Sequence, residues 1–382
     1  MKWKAISKSD TIIYKGIGIL MIVVHNFMHI FPNIKQNEDF FWPGRFYNYL
    51  KYMWAQPQNS IEYSFSFFGH FGVQIFIFLS AYGLTKKYKN TKIEYSVFIK
   101  NRVLKIYPIF LWAILFAYII VGTYFGGLTG SVVLFLNTAD AVLLKILLLS
   151  NFIPGYTFLP IGPWWFIPFI FQFYFIFPFL FYWYKRKGNS ILIILSLITI
   201  GFSFITHTHV GGVSFYQNII GHFPEFAFAI YIANNDEKGI NFPNWIIFTS
   251  VFIFILGNFY EFFWYFNHLT VIIIFLSVLN LLKDKIYKLK LVSNFLYFVG
   301  SISMALFLVN GFLRAPFVTW AMEINNPLIT ILLSLLSLII AILVSILLTK
   351  TESYMRNKVG KKTFIFVFIV ILLASIKKYL NV

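Results

Sequence analysis

His25 and His29 lie four residues apart on one face of an apolar stretch, YKGIGILMIVVHNFMHIFP, that starts at Tyr14. Imidazole is the side chain whose ordinary pKa suits it to take a hydroxyl proton near neutral pH, so His25 is a candidate general base. Its other reading is a neutral histidine hydrogen-bonded to a neighbouring helix. The spacing of the two rings would also let them share a metal ion. The sequence fixes no third ligand beside them, so no metal centre is expected there. His29 is placed at the outer mouth of the same cavity. Lys15 lies ten residues before His25, about 15 Å along a helix, where it either snorkels to the interface or faces the cavity.

Other polar groups interrupt apolar runs. A charge at the centre of a span costs roughly 2.5 to 3.5 kcal/mol on insertion scales, so each such group needs a reason. GHFGVQIFIFLSAYGLTKKY carries Gln74 and Ser80, with small residues at Gly72, Ala81 and Gly83 that suit close helix packing. In FIKNRVLKIYP, Arg102, Lys105 and Tyr107 lead into the next apolar run. Cations at such a boundary mark the cytoplasmic side of a membrane helix, and cations facing a cavity would hold phosphates. Glu225 and Asn310 stand inside later apolar runs, where helix-to-helix hydrogen bonding and cavity lining are both open.

The elements that must position these residues are membrane helices. Of the 382 residues, 59% are hydrophobic and only 12% charged, a balance unsuited to a water-soluble chain. Apolar runs of span length recur at 12–31, 64–84, 103–125, 163–184, 190–206, 217–234, 243–260, 266–283, 294–313 and 327–349, with a weaker one at 363–376. None alternates as an outer-membrane strand would, so the expected fold is an all-α polytopic transmembrane bundle of about ten or eleven spans, forming one domain. Most of the basic residues fall on one side if the N-terminus is cytoplasmic, which accounts for the net charge of +18 without nucleic acid. The same parity requires residues 126–162 to stay outside or to dip in and return. Their segment SVVLFLNTADAVLLKILLLSN, with Asp140 and Lys145, reads as an interfacial or re-entrant helix. The aromatic-rich segment 32–63 is either an interfacial belt or a surface for sugar rings. There are no cysteines, which excludes disulfides and thiolate chemistry.

Six strings, DTIIYKGIGILMIVVHN, FGVQIFIFLSAYGL, RVLKIYP, GPWWFIPFIFQFYFIFP, HFPEFAFAIYIA and SISMALFLVNGF, occur in that order. Together the chain resembles the acyltransferase-3 family of membrane O-acyltransferases, many of which acetylate bacterial surface polysaccharides. The resemblance implies a basic residue in the first span, a catalytic histidine eleven positions later, basic residues that meet an acyl-CoA donor, and a glutamate in the fourth string. Lys15 supplies the first, but eleven positions on stands Asn26, with His25 one earlier. Eleven residues return to within about 20° of the starting face, while ten leave His25 about 80° away. At the acidic position this sequence has Ile170 or Phe171, although Trp165, Gln172 and Tyr174 remain.

The implied activity is transfer of an acetyl or similar acyl group from cytosolic acyl-CoA to a hydroxyl of a cell-surface glycan or lipid-linked sugar at the cell membrane. His25 would act as base, with Lys15, Arg102, Lys105 and Tyr107 on the donor. Asn26, His29, Gln74, Ser80, Trp165, Gln172, Tyr174, Glu225 and Asn310 would line the cavity. No permanently bound cofactor is implied. A glycan transporter or flippase, or an inactive relative serving as an assembly factor, is the alternative.

Overall fold

The computed structural model describes residues 2–3, 5–31, 41–238 and 240–358; the weaker span expected at 363–376 lies outside them. The described chain is almost wholly helical. Two compact units form, each assembled from separated stretches of sequence. The first comprises Met1–Ile93, Ile176–Ser303 and Asn325–Ile331; the second comprises Glu94–Phe175, Met304–Ile324 and the chain from Leu332 onward.

In the first unit, α1 (Lys8–Met28) is followed by the short α2 (Arg45–Ala55) and α3 (Ser60–Phe68), then α4 (Gly72–Tyr88). Ser7 and Asp10 start α1 with a reciprocal capping box, Asp10 N–H donating to Ser7 Oγ at 3.1 Å and Ser7 N–H to the Asp10 carboxylate at 2.8 Å. The Asp10 carboxylate also accepts from Lys283 at 2.5 Å and Tyr287 at 2.8 Å. A buried carboxylate with this many donors is satisfied as an anion, so the cap also ties α1 to the later helix carrying Lys283. Gly16 and Gly300 let α1 and residues 296–300 approach until backbone meets backbone; a Cβ on Gly300 would collide with the Ile12 carbonyl.

The second unit opens with α5 (Tyr95–Ile146), a helical hairpin rather than a single rod. Its break lies at Gly126 and Gly127, whose φ values of 158° and 67° suit residues without a Cβ. The second arm runs back along the first. Tyr118 hydroxyl meets Thr138 Oγ1 at 2.5 Å, Tyr118 packs edge-on against Phe135, and Tyr107 donates to the Ile146 carbonyl at 2.6 Å. The chain then turns outward far enough for Tyr156 to donate to Asp140 at 3.1 Å before α6 (Phe166–Lys187) begins.

The first unit continues with α7 (Asn189–Ile205), α8 (Ile219–Asn235), α9 (Asn244–Phe259), α10 (Glu261–Trp264), α11 (Asn267–Lys288) and α12 (Lys290–Ser301). α13 (Ser303–Leu313), α14 (Ala315–Ile324) and α15 (Pro327–Lys358) complete the described chain. Among the described residues six helices are long and apolar enough to cross a bilayer, or seven if α12 and α13, bent by 77°, count as one broken span. Gly126–Ile146, read from sequence as interfacial or re-entrant, is one of the six by length and composition. α7 and α9 are shorter apolar helices. The protein is therefore an all-α polytopic membrane protein.

Candidate functional site

His25 lies in the last turn of α1 with 2% of its surface exposed. Its Nδ1 lies 2.9 Å from the carbonyl of Phe65 in α3. A carbonyl only accepts, so Nδ1 carries the proton and the neutral ring keeps its lone pair on Nε2. That tautomer is the one a general base needs. Gly69 closes against the same residue, since a Cβ there would lie 2.6 Å from His25 Cβ and 3.1 Å from the Met21 carbonyl. His29 stacks on His25 with ring centres 4.8 Å apart, and its Nδ1–H donates to the His25 carbonyl at 3.0 Å.

The structure adds three histidines that the sequence reading did not select. His70 is 5.6 Å from His25 between ring centres and 4.0 Å from Phe71. Phe71 in turn contacts His268, which lies 5.1 Å from His222 and 4.5 Å from Tyr216. Five of the seven histidines thus form one connected region of the first unit. The Asp10–Lys283 pair explains the alignment. Fifteen residues along α1 from Asp10 is His25, and fifteen residues back along α11 from Lys283 is His268. Both imidazoles therefore sit about 22 Å from the ion pair. One sequence signal was available: Gly-His-Phe occurs at 69–71 and again at 221–223.

Among the other candidates of the first unit, Asn26 and Lys15 are half-buried, and Tyr14 next to Lys15 is buried. Tyr14 stands eleven positions before His25, and Lys15 ten. Gln74 is buried and its Oε1 has no hydrogen-bond partner. Ser80 donates to the Phe76 carbonyl of its own helix at 2.7 Å. Glu225 is 1% exposed and lies 2.9 Å from His222 Nδ1.

The remaining candidates belong to the second unit. The Arg102 guanidinium lies over the rings of Phe98 and Tyr174, 5.5 and 5.7 Å from their centres, so two aromatic faces hold the fork in place. Lys105 is exposed one turn further on. Tyr107 is committed to the Ile146 carbonyl. Trp165 packs on Phe169, and its carbonyl accepts from Asn151 at 2.9 Å. Its neighbour Trp164, not selected from sequence, is wholly buried and donates to the Leu308 carbonyl at 2.9 Å. Ile170 and Phe171, at the family's acidic position, are buried, and Phe171 packs edge-on against Tyr107. Gln172 is buried, and the Asn310 amide donates to the Leu306 and Phe307 carbonyls of α13 at 3.1 and 2.6 Å.

A multi-pass helical protein with a tautomer-fixed histidine in its first span has the parts of a membrane acyl-transfer enzyme. No curated protein and no solved structure matches the chain. The family described as an acyltransferase domain, acyltransferase-3, matches residues 13–350, and the chain belongs to that family of membrane acyltransferases.

Proposed function

We propose that the protein moves an acetyl or similar acyl group from cytosolic acyl-CoA to a hydroxyl of a cell-surface glycan or lipid-linked sugar, in the cell membrane and with its N-terminus cytoplasmic. The hydroxyl oxygen attacks the thioester carbonyl, an ester C–O bond forms and the C–S bond breaks. His25 Nε2 takes the hydroxyl proton and returns it to the departing thiolate of coenzyme A. Arg102 and Lys105 bind donor phosphates, Arg102 through a fork already oriented by Phe98 and Tyr174. The observation that carries the reading is the Nδ1–H bond from His25 to Phe65, which commits the lone pair to Nε2.

Purified protein reconstituted in vesicles with radiolabelled acetyl-CoA and a glycan acceptor tests it. Label should appear as an ester on the acceptor, and Arg102→Lys should weaken acyl-CoA binding while keeping the charge. Movement of unmodified glycan without labelled product would replace the enzyme with a transporter, and absence of both would leave a non-catalytic relative.

A further inference from the structure

The second half of the histidine region does something His25 does not need. We propose that His222, Glu225 and His268 hold one divalent transition-metal ion, of the zinc class, inside the first unit.

One nitrogen from each ring and one oxygen of Glu225 lie within 4.8 Å of one another, and His222, Glu225 and His268 are 2%, 1% and 5% exposed respectively. Two imidazoles and one carboxylate form a donor set suited to zinc, three protein ligands leaving a fourth position open. The geometry around His222 matches a ligand's. Nδ1 lies 2.9 Å from Glu225 Oε1, a separation two ligands of one ion adopt, while Nε2 lies 2.9 Å from the Tyr216 carbonyl. A metal-bound histidine commonly donates its second N–H to such a carbonyl, which fixes the tautomer that presents the other nitrogen.

His268 supplies the independent observation. Its Nδ1 is buried with no hydrogen-bond partner, although the ring is packed among Tyr216, Trp264 and His222. A buried imidazole nitrogen left unpaired costs free energy that a cation would recover. The local sequence delivers the set economically. His222 and Glu225 are three apart on one face of α8, and His268 is in the first turn of α11. The alternative occupant of the His222–Glu225 contact is a shared proton, which leaves His268 unexplained.

The test reads metal, not turnover, so it is separable from the acyl-transfer reading. Full-length protein purified in detergent, exchanged against Zn²⁺ and desalted, should retain about one ion per chain by elemental analysis. Glu225→Gln and His268→Gln should bring that content to background, while His207→Gln, an exposed control, should not change it. Co²⁺ in place of Zn²⁺ should give the visible absorption of a low-coordinate site in the wild type only. A chelator should lower the melting temperature of the wild type and leave that of folded Glu225→Gln unchanged. Background metal in well-folded wild type, or equal retention by Glu225→Gln and wild type, would overturn the site and favour the shared proton. If a variant fails to fold, the wild-type stoichiometry and the Co²⁺ spectrum still decide.

Discussion

Buried polar side chains are used differently in the two units. In the first, the rings of His25 and His70 and of His222 and His268 pack against each other, and His25 and His222 each also reach one main-chain carbonyl, those of Phe65 and Tyr216. In the second, Tyr107, Trp164, Lys145 and Asn151 each donate to a main-chain carbonyl, those of Ile146, Leu308, Thr157 and Trp165. The difference follows from the backbone. Where helices bring imidazoles side by side, a ring bonds one carbonyl and still packs against another ring. At the end of the hairpin and in the irregular stretch after it, the carbonyls of Ile146, Thr157 and Trp165 each take a side-chain donor, and that of Leu308 in α13 takes Trp164. Polar side chains in apolar runs thus cluster with one another in the first unit and serve single main-chain carbonyls in the second.

The contrast breaks most visibly at His25. His25→Ala should lower transfer by about 10² to 10⁴ while the melting temperature stays near wild type, because general-base effects are of that size. Asn26→Ala should cost far less. The opposite order would move the base off the imidazole. Gly69→Ala is next: the added methyl would stand 2.6 Å from His25 Cβ, and overpacking of this kind costs about 1 to 3 kcal/mol. Activity should fall with stability, both read on the same preparation.

On the other side of the comparison, Tyr107→Phe should destabilise by roughly 1 to 3 kcal/mol, since it leaves a buried carbonyl without its donor, and this loss should appear in thermal unfolding. If Tyr107→Phe instead left stability untouched but weakened acyl-CoA binding, Tyr107 would belong to the donor site. Ser80→Ala should change stability by less than about 1 kcal/mol, because its hydroxyl bonds back to its own helix.

The smallest effect is at the surface. Hydrogen bonds from Lys86 and Lys89, at 2.7 and 3.1 Å, hold the Glu237 carboxyl down at about 2. A depressed acid stabilises the fold above its ordinary pKa and loses that contribution as pH falls towards its lowered one. The difference in melting temperature between wild type and Glu237→Gln should therefore shrink between about pH 4.5 and pH 2. It should be small throughout, as the pair is exposed.

Much of this architecture is legible in the chain because runs of some twenty apolar residues have one stable form in lipid. The family strings were legible for the same reason as His25: they sit inside those runs. The Gly126–Gly127 turn was not, since paired glycines in an apolar stretch fit close packing equally well. His70, His222 and His268 escaped because each stands alone near the start of a helix, and what joins them is the packing of α4, α8 and α11 across some 200 residues. The bond from Tyr107 to Ile146 is not legible, because sequence records a hydroxyl but not the hairpin that returns Ile146 to it.

The capping carboxylate of α1 carries one more consequence, for how the protein is made. Asp10 leaves the ribosome before its partner Lys283, which follows 273 positions later. At about 5 to 20 residues per second, α1 waits roughly 15 to 55 s for that lysine and slightly longer for Gly300. The helix bearing the proposed base is thus made well before the residues that tie down its start, so a nascent chain halted before α11 carries α1 without its Lys283 and Gly300 contacts.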